Sequence, residues 1–118
     1  MAVGMASKLL PGNFSFDSAG IDTSFGRAAN PNAINVMQNE YGIDISNHKT
    51  KDIETINLDK FDIIVAMGQY VFDELTSRYE LKHKILYKWN IDDPFGPDYQ
   101  RYKNCAINIE IMISSQFL

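Results

Sequence analysis

The run Phe61–Met67 constrains most strongly what this chain can fold into. Every residue in it except Asp62 is apolar, and isoleucine and valine fill its centre. A strand that is apolar at consecutive positions must be covered on both faces, which is typical of a central strand in a parallel sheet. Since parallel strands are joined by crossover helices, the run predicts an α/β domain.

Helix and strand patterns alternate along the rest of the chain and support this fold class. Asn30 before Pro31 is typical of a helix N-cap, and Gly42 is a good helix terminator. The full prediction is a helix over 1–10, a strand over 14–18, a loop over 20–30, a helix from 31 to 41, a short extended segment over 43–46, an irregular crossover over 51–58, a helix over 69–78, a strand over 84–89 and a last helix opened by 96–98.

Length and composition exclude several classes of protein. The 118 residues predict a single domain over 1–118, and the net charge of −4 argues against nonspecific binding of nucleic acid. No apolar run reaches the ~18 residues of a membrane helix, and the start has no secretory signal pattern. One cysteine excludes an internal disulfide framework. We therefore expect a cytoplasmic protein with no cofactor, no metal and no membrane partner.

The carboxyl ends of the predicted strands mark the expected ligand site. In open α/β sheets, ligands bind outside these ends. They are Ser18-Ala19-Gly20, Met67-Gly68 and Asp92-Asp93-Pro94. An aspartate before proline and an aromatic residue, at the end of a strand, suits a general acid at the mouth of a phosphate site.

Five short motifs, in order, resemble the low-molecular-weight protein tyrosine phosphatases and the thioredoxin-coupled arsenate reductases related to them. No single motif is specific, but their order and spacing cover almost the whole chain. The resemblance implies a three-layer, flavodoxin-like parallel sheet. The motifs are Met1-Ala2, Ser18-Ala19-Gly20, the segment 42–48 (Gly-Ile-Asp-Ile-Ser-Asn-His), the run 61–67 and Asp93-Pro94-Phe95.

The family's nucleophile is a cysteine in a Cys-x5-Arg loop, and these 118 residues contain no such loop. In the family, the loop and the first strand directly precede the Met-Ala motif. A mis-assigned start codon, a shortened gene or a noncatalytic protein would each account for this, and the sequence leaves all three open. Because the first strand lies inside the family's sheet, its loss predicts either a homodimer, in which a segment fills the gap, or closure of the flanking strands.

Within the resemblance, the phosphatase branch fits better than the reductase branch. The reductases shuttle a disulfide through two further cysteines around the third strand and after it, and the segment 67–73 contains none. The implied substrate is phosphotyrosine or a small aryl phosphate, provided that the loop is present. The sequence of residues 89–94 is closer to that of the reductase-like proteins. A noncatalytic binding or regulatory module on the same scaffold is the main alternative.

Four residues take functional positions through the resemblance. Asp93 takes the position of the general acid; the alternative is a structural aspartate in a turn. Phe95 takes the position of an aromatic residue that, in the family, contacts the phenyl ring of the substrate; the alternative is a core residue. Ser18 and His48 match residues that support the phosphate loop by hydrogen bonds, although His48 can equally be a capping or solvated histidine. Cys105 lies mid-helix without an arginine six residues later, so we predict that it is a core residue.

Overall fold

A computed structural model describes residues 1–21, 29–92, 94 and 96–118. The helices are α1 (Ala2–Leu9), α2 (Pro31–Tyr41), α3 (Gln69–Arg78) and α4 (Tyr99–Phe117), and the strands are β1 (Ile63–Met67) and β2 (Ile85–Trp89). Two 3₁₀ turns, Ile53–Thr55 and Leu58–Lys60, lie in the crossover before β1. Most of the loop predicted over 20–30 lies outside the described residues.

The two strands pair in parallel, as the apolar run predicts. The register joins Ile63 to Ile85 and Met67 to Trp89. Alternation along β1 then separates two hydrophobic clusters, one on each face of the sheet. Val65 and Met67 pack with the larger cluster, on the side of α1, α2 and α4, whereas Ile64 and Ala66 pack with the smaller cluster, on the side of α3. The α/β class with helices on both faces is confirmed.

The sequence signals at the two ends of α2 correctly predicted where this helix begins and ends. The Asn30 side chain accepts a hydrogen bond from the Asn32 amide at 2.8 Å, and Pro31 occupies the first helical position. Gly42 ends the helix with φ of 66°, in the left-handed region that glycine adopts without a steric penalty. The last helix, α4, begins after Asp98, whose side chain accepts from the Gln100 amide at 3.0 Å.

The strand predicted over Phe14–Ser18 does not form, and the segment 43–46 is irregular and ends in a turn at Ser46. Among the described residues, the segment 14–19 has no neighbouring strand with which to exchange backbone hydrogen bonds, so period-two patterning alone is insufficient. Only Gly20, just after it, makes an isolated parallel bridge, to Asp52. The sheet of the described residues therefore has two strands rather than the predicted three.

A cavity of about 730 Å³ separates Phe14–Ala19 from β1. The flanking segments have not closed up, so the prediction of closure is wrong for the single chain; the homodimer remains a prediction. Strand β1 is only half-buried, except at Ala66, because one of its edges faces this cavity. No helix among the described residues is long and apolar enough to cross a membrane.

Candidate functional site

The carboxyl ends of β1 and β2 lie side by side at one edge of the molecule and are joined by a hydrogen bond. Strand β1 ends at Met67, and the next residue, Gly68, donates its amide to the Trp89 carbonyl at 2.8 Å. Gly68 has φ of 103°, which favours glycine and allows the chain to turn directly into α3. This edge is where the strand topology predicts a ligand site.

Asp93 and Phe95, the predicted general acid and aromatic wall, lie outside the described residues. Their described neighbours are anchored on both sides. Ile91 is buried and donates its amide to the Trp89 carbonyl at 3.0 Å, and the Gly96 carbonyl accepts from the Asn32 side chain at 3.5 Å. Asp92 is exposed. The roles of Asp93 and Phe95 therefore remain predictions.

Ser18 lies on the wall of the cavity, half-buried, and its local geometry depends on the preceding aspartate. The Ser18 amide donates to Asp17 Oδ1 at 2.8 Å, and Lys51 Nζ donates to the same oxygen at 2.8 Å. Burial raises the pKa of Asp17, but the hydrogen bonds from Lys51 and Ser18 outweigh it and leave this pKa below its ordinary value. Asp17 is therefore a carboxylate at neutral pH.

His48 is half-buried and lies in the same electrostatic environment. Burial is the main cause that lowers its pKa, and the positive charges of the Met1 amino group and Lys51 lower it further, against the opposing effect of Asp17. The imidazole is therefore neutral at pH 7, with one ring nitrogen a donor and the other an acceptor. The structure thus brings Ser18 and His48 to one region, beside the start of α1.

The Ser18 hydroxyl and the His48 imidazole share one further property. Neither side chain has a hydrogen-bond partner among the residues that the structure describes. A hydroxyl and a neutral imidazole that both remain unpaired can each hold a peptide amide or a ligand oxygen. The arrangement suits the supporting role that the resemblance implies, and that role is still a prediction.

The Asp17–Lys51 ion pair was not predicted from the sequence. The two residues are 34 positions apart, so no local pattern joins them. The only local signal was the position of Asp17 directly before the Ser-Ala-Gly motif. Its functional relevance is that Asp17 accepts the Ser18 amide and supplies a negative charge that opposes the lowering of the His48 pKa.

Cys105 is buried in α4, as predicted, and belongs to the larger hydrophobic cluster. No group of three histidine, cysteine, aspartate or glutamate side chains among the described residues is arranged to hold a metal ion. Within that part of the chain, the candidate site therefore consists of neutral hydrogen-bonding groups and one ion pair, next to the amino-terminal end of a helix.

Comparisons with known proteins identify the family to which this chain is similar. A sequence profile of the low molecular weight phosphotyrosine protein phosphatases matches residues 1–117. A probable low molecular weight protein-tyrosine-phosphatase, EpsP of Ralstonia solanacearum, is 29% identical over 116 residues, which cover 93% of this chain and 79% of that protein. An arsenate reductase of Staphylococcus aureus (strain Newman) is 30% identical over 118 residues, covering 98% of this chain and 83% of that protein.

A solved structure supports the same assignment. The low molecular weight protein tyrosine phosphatase from T. tengcongensis superposes with a TM-score of 0.85 at 28% identity, over 96% of this chain and 84% of that chain. The profile match over residues 1–117 includes both strands and the two segments that carry Ser18 and His48. The chain belongs to the low-molecular-weight phosphotyrosine protein phosphatase family.

Proposed function

We propose that this chain is phosphatase-like and recognises a phosphate monoester at the carboxyl edge of its sheet. Phosphotyrosine or a small aryl phosphate is the proposed substrate class. The observation that carries the proposal is the convergence of Ser18, His48 and the start of α1, because their unpaired hydrogen-bonding groups lie where α/β sheets bind ligands. The family match over 1–117 supports it.

Asp93 is proposed as the general acid. Cleavage of an aryl phosphate ester by a thiolate needs a proton for the leaving phenoxide, and then a base that activates water for hydrolysis of the cysteinyl-phosphate. A single carboxyl group can perform both steps. Phe95 is proposed as the neighbouring wall for the aromatic ring.

The 118 residues are proposed to be inactive by themselves. Their one cysteine, Cys105, is buried in the middle of α4, and no arginine follows it six residues later to complete a Cys-x5-Arg loop. The same observation disfavours arsenate reduction, because a disulfide relay needs at least two accessible thiols. Arsenate reduction is therefore the less favoured alternative, although relatives of this chain are named both as phosphatase and as arsenate reductase.

The test compares this chain with a longer product that includes the codons preceding Met1 in its gene. We expect no aryl phosphate turnover by the 118 residues, and turnover by the longer product if it adds a Cys-x5-Arg loop. Asp93→Asn should then lower kcat by roughly 10²–10⁴-fold, while the neighbouring substitution Asp92→Asn should have little effect. An unchanged kcat in Asp93→Asn, or turnover by the 118 residues, would contradict the proposal.

A noncatalytic module is the second candidate, and the open cavity beside β1 favours it. It predicts a folded 118-residue chain whose melting temperature does not respond to phosphate. A phosphate-dependent rise in melting temperature would argue against this candidate and for the first.

A further inference from the structure

The outer face of the helical layer formed by α2 and α4 carries little charge. Every residue of these two helices is described, and only Glu40 and Arg101 among their solvent-exposed residues are charged. Most of the others are amides, among them Asn35, Gln38 and Asn104. A surface helix normally directs charged residues to solvent, whereas charge is depleted in the core of protein interfaces. The composition of this outer face is therefore that of an interface.

Ile107 and Ile111 form an apolar centre in this outer face. They lie one turn apart on α4, and their side chains are 39% and 56% exposed. The opposite side of the same helix, with Ile109 and Ile113, is buried in the larger hydrophobic cluster. The core therefore accounts for the inner side of α4, whereas the two outer isoleucines lie in solvent in the single chain.

Two opposite charges border the outer face along one flank of α4. Lys103 Nζ lies 3.5 Å from Glu40 Oε1 of α2, and Glu110 accepts a hydrogen bond from the Tyr41 hydroxyl at the end of α2. Both side chains therefore lie on the flank that faces α2. They are separated along α4 by about two turns.

A second copy of this chain is complementary to the outer face in one orientation. When a two-fold axis relates two antiparallel α4 helices, the flank toward α2 in one copy meets the same flank of the other. Lys103 of each copy then approaches Glu110 of the other, and the isoleucines pack across the axis. In a parallel pair, Lys103 would instead approach the opposite flank, where Arg101 lies about 200° away around the helix. Amide side chains both donate and accept, so a surface rich in them can pair with its own copy.

We propose that the outer face of α2 and α4 forms a weak, reversible homodimer in which the two α4 helices pack antiparallel around Ile107 and Ile111. The 19 residues of α4 span about 28 Å, and two adjacent helices are about 18 Å wide, so the footprint is on the order of 500 Å² per copy. The total of about 1,000 Å² is the lower limit for a specific interface, which is why the association is weak. The larger hydrophobic cluster separates this face from the sheet, so the proposal does not depend on phosphate chemistry.

Sedimentation equilibrium of the 118-residue chain, from about 10 μM to about 1 mM, tests the association. We expect the weight-average mass to rise from 13.4 kDa toward twice that value. Ile111→Glu should weaken the association at least about tenfold. Ile85→Glu is the matched control, because Ile85 is similarly exposed, at 52%, but lies on β2, and it should associate as the wild type does. No rise in mass, undiminished association of Ile111→Glu, or lost association of Ile85→Glu would overturn the proposal.

Charge reversal tests the antiparallel geometry. Lys103→Glu and Glu110→Lys should each weaken self-association, because each brings like charges together twice across the axis. An equimolar mixture of the two variants should recover the association to within about threefold of the wild type, since the mixed dimer contains two glutamate–lysine pairs. Lys103→Glu also loses its contact with Glu40, but mixing cannot restore this contact within one chain. A mixture that associates no better than its components, or a Lys103→Glu chain that associates more tightly than the wild type, would overturn the proposal.

Discussion

Replacing Gly4 by alanine should destabilise the protein, although it improves a helix. Gly4 lies inside α1, where alanine is favoured over glycine by about 0.8–1.0 kcal/mol. A Cβ at this position would lie 3.0 Å from Ile45 Cγ2 and 3.3 Å from Ile43 Cγ2. Carbon atoms pack best at about 3.5–4.0 Å, so the first contact is short by roughly 0.5 Å.

The outcome depends on whether the neighbours can move. Ile45 is buried and β-branched, so its Cγ2 has few alternative positions. Met37 Cε, the third neighbour, is already at an ordinary distance of 3.7 Å. Overpacking of a dense core costs about 1–3 kcal/mol. Subtracting the helix gain leaves a net loss of about 1 kcal/mol, or a fall in melting temperature of roughly 4 °C for a domain of this size.

Urea denaturation of six variants, with Gly4→Ala made alone and in two Ile45 backgrounds, separates the two effects. Ser7→Ala, at an exposed position of the same helix, should be neutral or slightly stabilising. Ile45→Val keeps a methyl group at the Cγ2 position, so Gly4→Ala should still be destabilising in that background. Ile45→Ala removes the methyl group, and Gly4→Ala should then become stabilising. If Gly4→Ala stabilises the wild-type chain by about 1 kcal/mol, the close approach is not limiting and the reasoning is wrong.

Three further predictions concern titration and burial. The folded state lowers the pKa of His48 below its ordinary value near 6.5. The unfolded chain therefore binds more protons below that pH, and the free energy of unfolding should fall as pH falls through this window. His48→Gln should flatten the slope of this free energy against pH, and an unchanged slope in His48→Gln would contradict the prediction. Burial, with a hydrogen bond and negative charge from Glu110, raises the pKa of Tyr41 to about 12. Stability should therefore decline from pH 10 upward through that value, and absorbance at 295 nm should lose its last tyrosine step in Tyr41→Phe; retention of that step would assign it elsewhere. Cys105 should react with a thiol reagent far more slowly in the native protein than in urea, and immediate native reaction would show that it is not a core residue.

Elements with complete local signals were predictable from the sequence. The N-cap of α2 at Asn30 and its terminator at Gly42 need only neighbouring residues, and both are confirmed. The run Phe61–Met67 predicted β1 because its apolar character reflects covers on both faces. The pattern over Phe14–Ser18 failed because a strand also needs a partner, and period-two alternation describes the faces of a strand but not its edges.

The candidate site was predictable only in part, for a related reason. Ser18 and His48 were identified through their motifs, but the residues that set their electrostatics are distant in sequence. Asp17 and Lys51 pair across 34 positions, and the start of α1 contributes the positive charge next to His48. Gly4 is the sequence feature behind this arrangement, because its lack of a side chain lets α1 approach the segment 43–45 that leads to His48.

Strand β1 carries the strongest fold signal of the sequence. Its apolar residues require cover on both faces, and the two clusters supply it. Such a composition is also typical of strands paired on both edges, because an edge strand normally carries charged residues or proline that prevent further pairing. Within β1 no such residue occurs, and in the described part of the chain β1 is paired along the edge toward β2. The sequence of β1 is therefore that of an interior strand, which is why the apolar run predicted the fold class although β1 pairs with one strand among the described residues.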